Sequence, residues 1–427
     1  MLDANEIWTW ATDLFPINRS LTGEGNRETL KYISKIVPIQ MRSMNSGSIC
    51  FDWTIPDEWN VKEAYIVTPD GRKICDFRKN NLYLLGYSEP MERILSLKEL
   101  KEHLYTDKSN PEAIPYRTSY YERNWGFCIE YNNFRLLTEG DYRVKIDSTI
   151  KPGKMDYGEL YIPGKSKKEI IISTYICHPS MGNNELSGPI LTTMLARHLL
   201  DLEHDHTLRN YSYRFVYGPE TIGAICYIYK NYDHLMRNTI AGYVVTCVGD
   251  TRSYSLLKGK MKNLSEIAAK EAFKIKGIAY KEYSFFERGS DERQYCGPGI
   301  NLPFASIMRT KYGAYKEYHS SLDNLNFISP EGLMGAFEVY IESLRLINLA
   351  IYAEPVYKCE PMMSKRGLRS ALSGSKEVLF DKDMFNILTF ITKDFSSLEV
   401  ADATGINHEK VLEYIYELKN LGLLKLC

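Results

Sequence analysis

Histidines and carboxylates that follow apolar runs are the chemistry-bearing feature of this 427-residue chain. The stretch Cys177-His-Pro-Ser-Met-Gly-Asn-Asn-Glu-Leu-Ser-Gly188 offers an imidazole and a carboxylate, His178 and Glu185, from one loop. A neutral imidazole and a carboxylate are ligand types of a zinc site. Gly218-Pro-Glu-Thr-Ile-Gly223 adds Glu220, Val248-Gly-Asp250 adds Asp250, and Glu317-Tyr-His-Ser-Ser-Leu-Asp-Asn324 adds His319. A polar patch, Arg288-Gly-Ser-Asp-Glu-Arg-Gln294, contributes Asp291 and Glu292 between Arg288 and Arg293, and Arg309 follows a short apolar run. In such a group a glutamate can take a proton from water. A metal can polarise a carbonyl, and an arginine can hold a substrate carboxylate through two parallel hydrogen bonds.

These residues need a scaffold that brings them together. Apolar runs at 169–177, 211–217, 240–248 and 303–308 read as strands, and amphipathic patterns at 187–203, 222–231, 262–276 and 330–350 read as helices. The alternation predicts an α/β fold, a mostly parallel or mixed sheet flanked by helices. Loops beyond the carboxyl ends of such strands share one rim, where ligands bind. Residues 4–14 and 24–36 read as two helices separated by the polar loop Asn18–Gly25. Short alternating segments around Pro69-Asp-Gly71 mark a β-rich insertion. The expected domains are 1–45 with 140–357 as the α/β unit and 46–139 as the insertion. A winged helix is expected at 376–427, with three helices and Leu421–Leu426 as the wing, behind a linker at 358–375.

The bulk numbers narrow the class. Net charge is −1, so nothing pulls the whole chain toward nucleic acid or anionic lipid. Residues 381–427 carry eight acids against five lysines or arginines, the wrong balance for phosphate neutralisation, so nucleic-acid binding is not expected of that module. The nine cysteines are dispersed and form no CxxC pair. That usage, with no leader and no apolar run of membrane-spanning length, predicts a cytoplasmic location and no membrane partner.

Taken together, Asn18-Arg-Ser-Leu-Thr-Gly23, Ser173-Thr-Tyr-Ile-Cys-His-Pro-Ser180, Asp291-Glu-Arg-Gln-Tyr295, Tyr318-His-Ser-Ser-Leu-Asp323 and Cys359-Glu-Pro361 resemble the zinc aminopeptidase superfamily. The likeness is greatest to bacterial aminopeptidase-like proteins found with polysaccharide biosynthesis genes, and it covers nearly the whole chain. It implies a peptidase-like α/β domain with an inserted β domain and a C-terminal winged helix. The departures from two-zinc aminopeptidases are specific. Ser180 stands where that pattern has the aspartate that orients the first histidine. Asn184 stands at the bridging aspartate, Thr221 at a glutamate ligand, and Thr246 near a further aspartate ligand.

What the resemblance leaves is one zinc held by His178, Glu185 and His319, with Glu220 as general base. Asp250, Arg288, Asp291, Glu292 and Arg309 are the expected substrate-binding residues. The expected function is zinc-dependent hydrolysis of an amide or peptide bond in a small-molecule, peptide or sugar-amide substrate. The alternatives are a degenerate metal- or ligand-binding scaffold and a ligand-responsive winged-helix regulator. Glu185 and Glu220 can also be read as carboxylates at helix starts. Which of Glu185, Glu220 and Asp250 completes a metal site stays open, as does homo-oligomer formation.

Overall fold

The computed structural model describes residues 3–202, 209–362, 365 and 382–427. Strand Glu169–Tyr175 is buried along its whole length, as a run of β-branched residues covered on both faces should be. It lies between parallel strands Ser212–Gly218 and Thr239–Val244, with Ile172 opposite both Phe215 and Tyr243. Phe304–Met308 extends the parallel set. Antiparallel strands Lys154–Ile162 and Gln40–Asn45 complete one edge of this eight-stranded sheet. Ser255–Leu257 and Lys281–Tyr283 complete the other. The sheet is therefore mixed, with its parallel strands at the centre.

Helices Ser187–Asp201, Leu264–Ile275 and Pro330–Leu349 join the sheet in one apolar core containing Ile172, Leu191, Met194, Phe215, Tyr243 and Val339. The helix starts are specified locally. Ser329 accepts from Gly332 N, with Pro330 at the first helical position, and Asn263 accepts from Glu266 N. Gly188 has a packing role. A Cβ there would lie 2.4 Å from Val245 O and 2.5 Å from Thr174 Oγ1, so glycine lets the Ser187–Asp201 helix start against the sheet.

The inserted part is a four-stranded antiparallel sheet made from Glu58–Val67, Lys73–Ile74, Met91–Ser96 and Asp141–Lys151. Its last strand, Asp141–Lys151, lies beyond the expected boundary at residue 139 and pairs with Glu58–Val67 and Met91–Ser96. Asp141–Lys151 and Lys154–Ile162 are consecutive strands separated by Pro152-Gly153; the first alternates between buried and more exposed positions and the second is buried nearly throughout. The insertion is not a separate globule. Its Trp59, Phe127 and Val144 share a core with Tyr175, Cys177 and Ile222 of the α/β part.

Helices Lys382–Phe390, Ser397–Thr404 and His408–Asn420 pack around Ile387, Val411, Ile415 and Leu418. Ser396 and Glu399 form a capping box, and Gly405 closes the middle helix at φ 72°. Leu424–Leu426 pairs antiparallel with Ala353–Pro355, which ties this module to the end of the α/β unit. Most of the expected linker at 358–375 lies outside the described residues. Among the described residues, no helix is long and apolar enough to cross a membrane.

Candidate active site

The loop that carries His178 leaves strand Glu169–Tyr175 at the sheet's carboxyl rim and enters a single π-helical turn, Gly182–Leu186. Such turns recur at functional sites. Asp323 holds this turn by accepting from Asn183 N at 2.6 Å and Asn184 N at 2.9 Å. Tyr315 also donates to Asp323, at 3.1 Å. Burial raises the Asp323 pKa to about 6 even against these donors.

A pH dependence follows. An aspartate whose folded pKa is raised contributes its stability below the unfolded value near 4 and loses it as pH climbs through 6. The shift of about two units sets an upper bound of roughly 3 kcal/mol. Stability of the parent, minus that of Asp323→Asn, should therefore fall between pH 4 and pH 7. Urea unfolding at both pH values measures it, and a difference that stays flat would refute the assignment.

His178 is buried and its two nitrogens have different surroundings. Nδ1 is 2.9 Å from Glu185 Oε2 and 3.3 Å from Cys177 Sγ. Nε2 is 3.8 Å from Glu220 Oε2. Behind Glu185 stands Arg19, 1% exposed, with Nε 3.5 Å from Glu185 Oε1 and an Nη donating to Leu14 O at 2.6 Å. Burial alone would depress the His178 pKa, but its hydrogen bond and charge contact with Glu185, helped by Glu220, outweigh that and raise it. Ser180, at the position where the resemblance implies an orienting aspartate, accepts from Asn81 Nδ2 at 3.1 Å and faces Phe15 O. Glu185 fills the place on Nδ1 that Ser180 leaves.

Glu220 follows strand Ser212–Gly218, and the next residue, Thr221, has φ 63°. The Glu220 amide donates to Cys177 Sγ at 3.1 Å, and its carboxylate accepts from Ser290 Oγ at 2.7 Å. Burial pushes the Glu220 pKa up, against the opposing influence of His178, Ser290 and Arg293. His319 comes from a loop at φ 56° and stacks on Tyr318, ring centres 3.9 Å apart. Its ring centre is 5.5 Å from that of His178. Burial, with the charges of His178 and Arg117, lowers its pKa to about 3, so the imidazole is neutral.

His178, Glu220 and His319 thus line one cleft of about 510 Å³, with Trp53, Tyr116 and Arg293 among its other walls. The insertion supplies part of that wall and is tied to the His319 loop. Tyr116 N donates to His319 O, Ser321 N to Ile114 O, and Ile114 N to Ser321 Oγ, all at 2.8–2.9 Å.

The other expected residues stand elsewhere. Asp250, 1% exposed, accepts from Asn183 Nδ2 and from the amide and hydroxyl of Thr310, so it braces the loops behind the cleft. Asp291 is buried and accepts from Thr221 N at 2.7 Å, and burial and Glu220 push its pKa well up. Glu292 accepts from Gly289 N, Ser290 N and the Tyr312 hydroxyl, fixing the loop that carries Ser290. The exposed Arg288 lies over Phe285, and the buried Arg309 lies over Tyr254 with its guanidinium carbon 3.7 Å from the ring centre. None of these five lines the cleft. Sequence reasoning gave no site role to Ser290, Tyr116, Arg117 or Trp53. Ser290 lay inside the flagged 288–294 patch, whereas the last three sit in the insertion, where no periodicity distinguishes them.

Cys177, His178 and Glu185 have ligand atoms within 4.8 Å of one another. That group includes the edge of the imidazole already hydrogen-bonded to Glu185, and Glu185 is paired with buried Arg19, so a dication there would meet a cation. The cleft side offers two imidazoles, which are zinc ligand types, with the Glu220 carboxylate beside them, although these three are not among the described groups whose ligand atoms converge within 4.8 Å. A second zinc does not fit. Asn184 is an amide, Thr221 is hydrogen-bonded to Arg293, and the Thr246 hydroxyl donates to Asn184 O at 2.8 Å.

A mixed sheet with a histidine-and-glutamate cleft at its carboxyl rim defines an aminopeptidase-like α/β protein, and the comparisons agree. A zinc aminopeptidase from Bacillus subtilis superposes with TM-score 0.57 at 12% identity, covering 81% of this chain and 95% of that one, which shows a shared fold. The chain belongs to the family described as "Domain of unknown function (DUF4910)", matched over residues 8–349. A Clostridium acetobutylicum relative named as a polysaccharide biosynthesis protein with an aminopeptidase-like domain is 41% identical, covering 99% of this chain and 96% of its own length. A crystal structure from C. acetobutylicum, described as a peptidase, has TM-score 0.84 at 38% identity, covering 99% of this chain and 96% of that one.

Proposed function

We propose that this protein is a metal-assisted hydrolase of amide bonds, acting in the cytoplasm on a peptide or on an aminoacyl or N-acyl sugar. The observation that carries this reading is the orientation of His178. Arg19 and Glu185 hold Nδ1 from behind, so Nε2 faces the cleft toward Glu220, with neutral His319 beside it. A carboxylate on the far nitrogen is how ligating histidines are commonly fixed and made more basic. His178 and His319 would hold one zinc ion, with Glu220 facing its open side. Zinc held there supplies Lewis acidity and a water acidified to about neutral pH.

The remaining steps belong to the chain's own groups. Glu220, with its pKa raised by burial, takes a proton from water and gives it to the leaving amine. Ser290 holds one carboxylate oxygen at 2.7 Å, leaving the other toward His178 and the cleft. Tyr116 and Trp53 supply aromatic walls of the cleft. The sugar-amide class draws support from the relative named for polysaccharide biosynthesis.

Elemental analysis tests the metal. Protein purified without chelator or affinity nickel should carry about one zinc per chain, falling below one tenth in His178→Ala and in His319→Ala. A parent that stays metal-free after zinc reconstitution would favour the second reading, a ligand-binding scaffold on a peptidase fold. The exchange of acids for Asn184, Thr221 and Thr246 is the observation behind that alternative.

A further inference from the structure

An enzyme that removes N-terminal residues must hold an α-amino group, and for its ammonium form a free carboxylate is the strongest hydrogen-bond acceptor a cleft can offer. Among the described residues lining this cleft, Glu220 is the only acid, and it is already hydrogen-bonded to Ser290 and facing His178. The nearby acids Asp291 and Glu292 are buried and do not line the cleft. Asp291 accepts from Thr221 N and Glu292 from Gly289 N, Ser290 N and Tyr312. Among the described residues, no acid other than Glu220 lines the cleft.

Positive charge is placed differently. Arg293 and Arg117 both line the cleft and both are exposed, and neither forms an ion pair in the described structure. Arg293 is positioned by its own hydrogen bonds, Nε to Ser290 O at 3.1 Å and an Nη to Thr221 Oγ1 at 3.0 Å. Thr221 is the position where the resemblance places a carboxylate ligand of a second zinc. There a carboxylate has been exchanged for a hydroxyl, and a guanidinium sits against it. Arg117 comes from the opposite wall, one residue past Tyr116, whose amide is bonded to His319 O. One guanidinium therefore stands on the Glu220 side of the cleft and the other on the His319 side.

We propose that the cleft selects an anionic substrate, with a carboxylate or phosphate near the scissile amide held by Arg117 and Arg293, and that it does not take a free N-terminal amine. The proposal rests on the hydrolase reading and specifies its substrate class. It also gives the protein a different end preference from the aminopeptidases whose fold it shares. Guanidinium forks suit both anions, because each presents paired oxygens to two parallel N–H groups.

Four small probes test it by calorimetry on the full chain: N-acetylphenylalanine, N-acetylphosphoserine amide, N-acetylphenylalanine amide and phenylalanine amide. One or both anions should bind at least about ten-fold more tightly than the neutral amide and the amine, because charge-assisted hydrogen bonds are the strong ones. Which anion binds distinguishes a carboxylate site from a phosphate site. Arg117→Ala and Arg293→Ala should each weaken the bound anion by about ten-fold, with partial rescue by lysine, while Arg288→Ala changes nothing. Tighter binding of the amine, no binding of either anion at millimolar concentration, or anion binding unchanged in the double alanine variant overturns the proposal. Turnover separates it from the parent reading. Hydrolysis of peptides without preference for an anionic end rejects the substrate class and keeps the hydrolase. Anion binding that needs both arginines, with no amide in an anionic panel hydrolysed, keeps the receptor and rejects the hydrolase.

Discussion

Glu220→Gln should lower amide hydrolysis by about 100-fold or more while zinc content and unfolding midpoint stay near those of the parent. General-base groups contribute about 10²–10⁴ in rate, and glutamine cannot take the proton. The substitution is nearly isosteric, and the amide oxygen can still accept from Ser290 Oγ, the 2.7 Å bond of the parent. Removing a carboxylate whose pKa burial has raised relieves a desolvation cost, so no loss of stability is expected. The result is read as rate on any substrate the parent turns over, beside elemental analysis and thermal unfolding of both proteins. A variant with more than a tenth of the parent rate would remove Glu220 from the chemistry. A variant that lost its zinc would instead make Glu220 a ligand.

The second large effect lies behind the imidazole. Glu185→Ala leaves Arg19, 1% exposed, without its counterion. Breaking a buried pair by removing one partner costs about 3–5 kcal/mol, because the remaining charge is uncompensated. It also frees His178 Nδ1, so activity should fall through loss of ring orientation. The apolar double replacement Arg19→Met with Glu185→Leu separates these effects. Well-packed apolar substitutes for a buried ion pair are often neutral or better, so most of the stability should return. Activity should not return, because Nδ1 then keeps only its weak contact with Cys177 Sγ. Urea unfolding and rate measurements on the three proteins decide the matter. A Glu185→Ala protein within about 1 kcal/mol of the parent would show that Arg19 finds another partner, contrary to the pairing described.

Much of the scaffold was legible because its signals are local. The run Ile170-Ile-Ile172 could be buried only as a central strand, and the helices after residues 187, 222, 264 and 330 start near their predicted positions. The end of the insertion was not legible, because Asp141–Lys151 and Lys154–Ile162 follow one another directly and the sheet each joins is set by partner strands distant in sequence. The rim argument expected His178, Glu220 and His319 to converge, and the three line one cleft. It could not say which edge of an imidazole a carboxylate meets, and that detail sets Glu185 on Nδ1 and Glu220 on the Nε2 side. Asp250 follows a strand like the others, yet its loop turns back onto Thr310 and Asn183. Strand position does not encode that turn. Arg117 was out of reach for a different reason, since its place at the cleft depends on pairing between segments far apart in sequence.

That pairing bears on the order in which the molecule can be built. Residue 114 and residue 321 are 207 positions apart, yet their reciprocal bonds fix the wall next to His319. Contacts of such separation carry a loop-closure cost before they give anything back, and chains that depend on them fold slowly. The insertion leaves the ribosome well before the His319 loop exists, so this wall cannot close until that later segment arrives. Completion of the cleft is thereby a late event in the life of the chain.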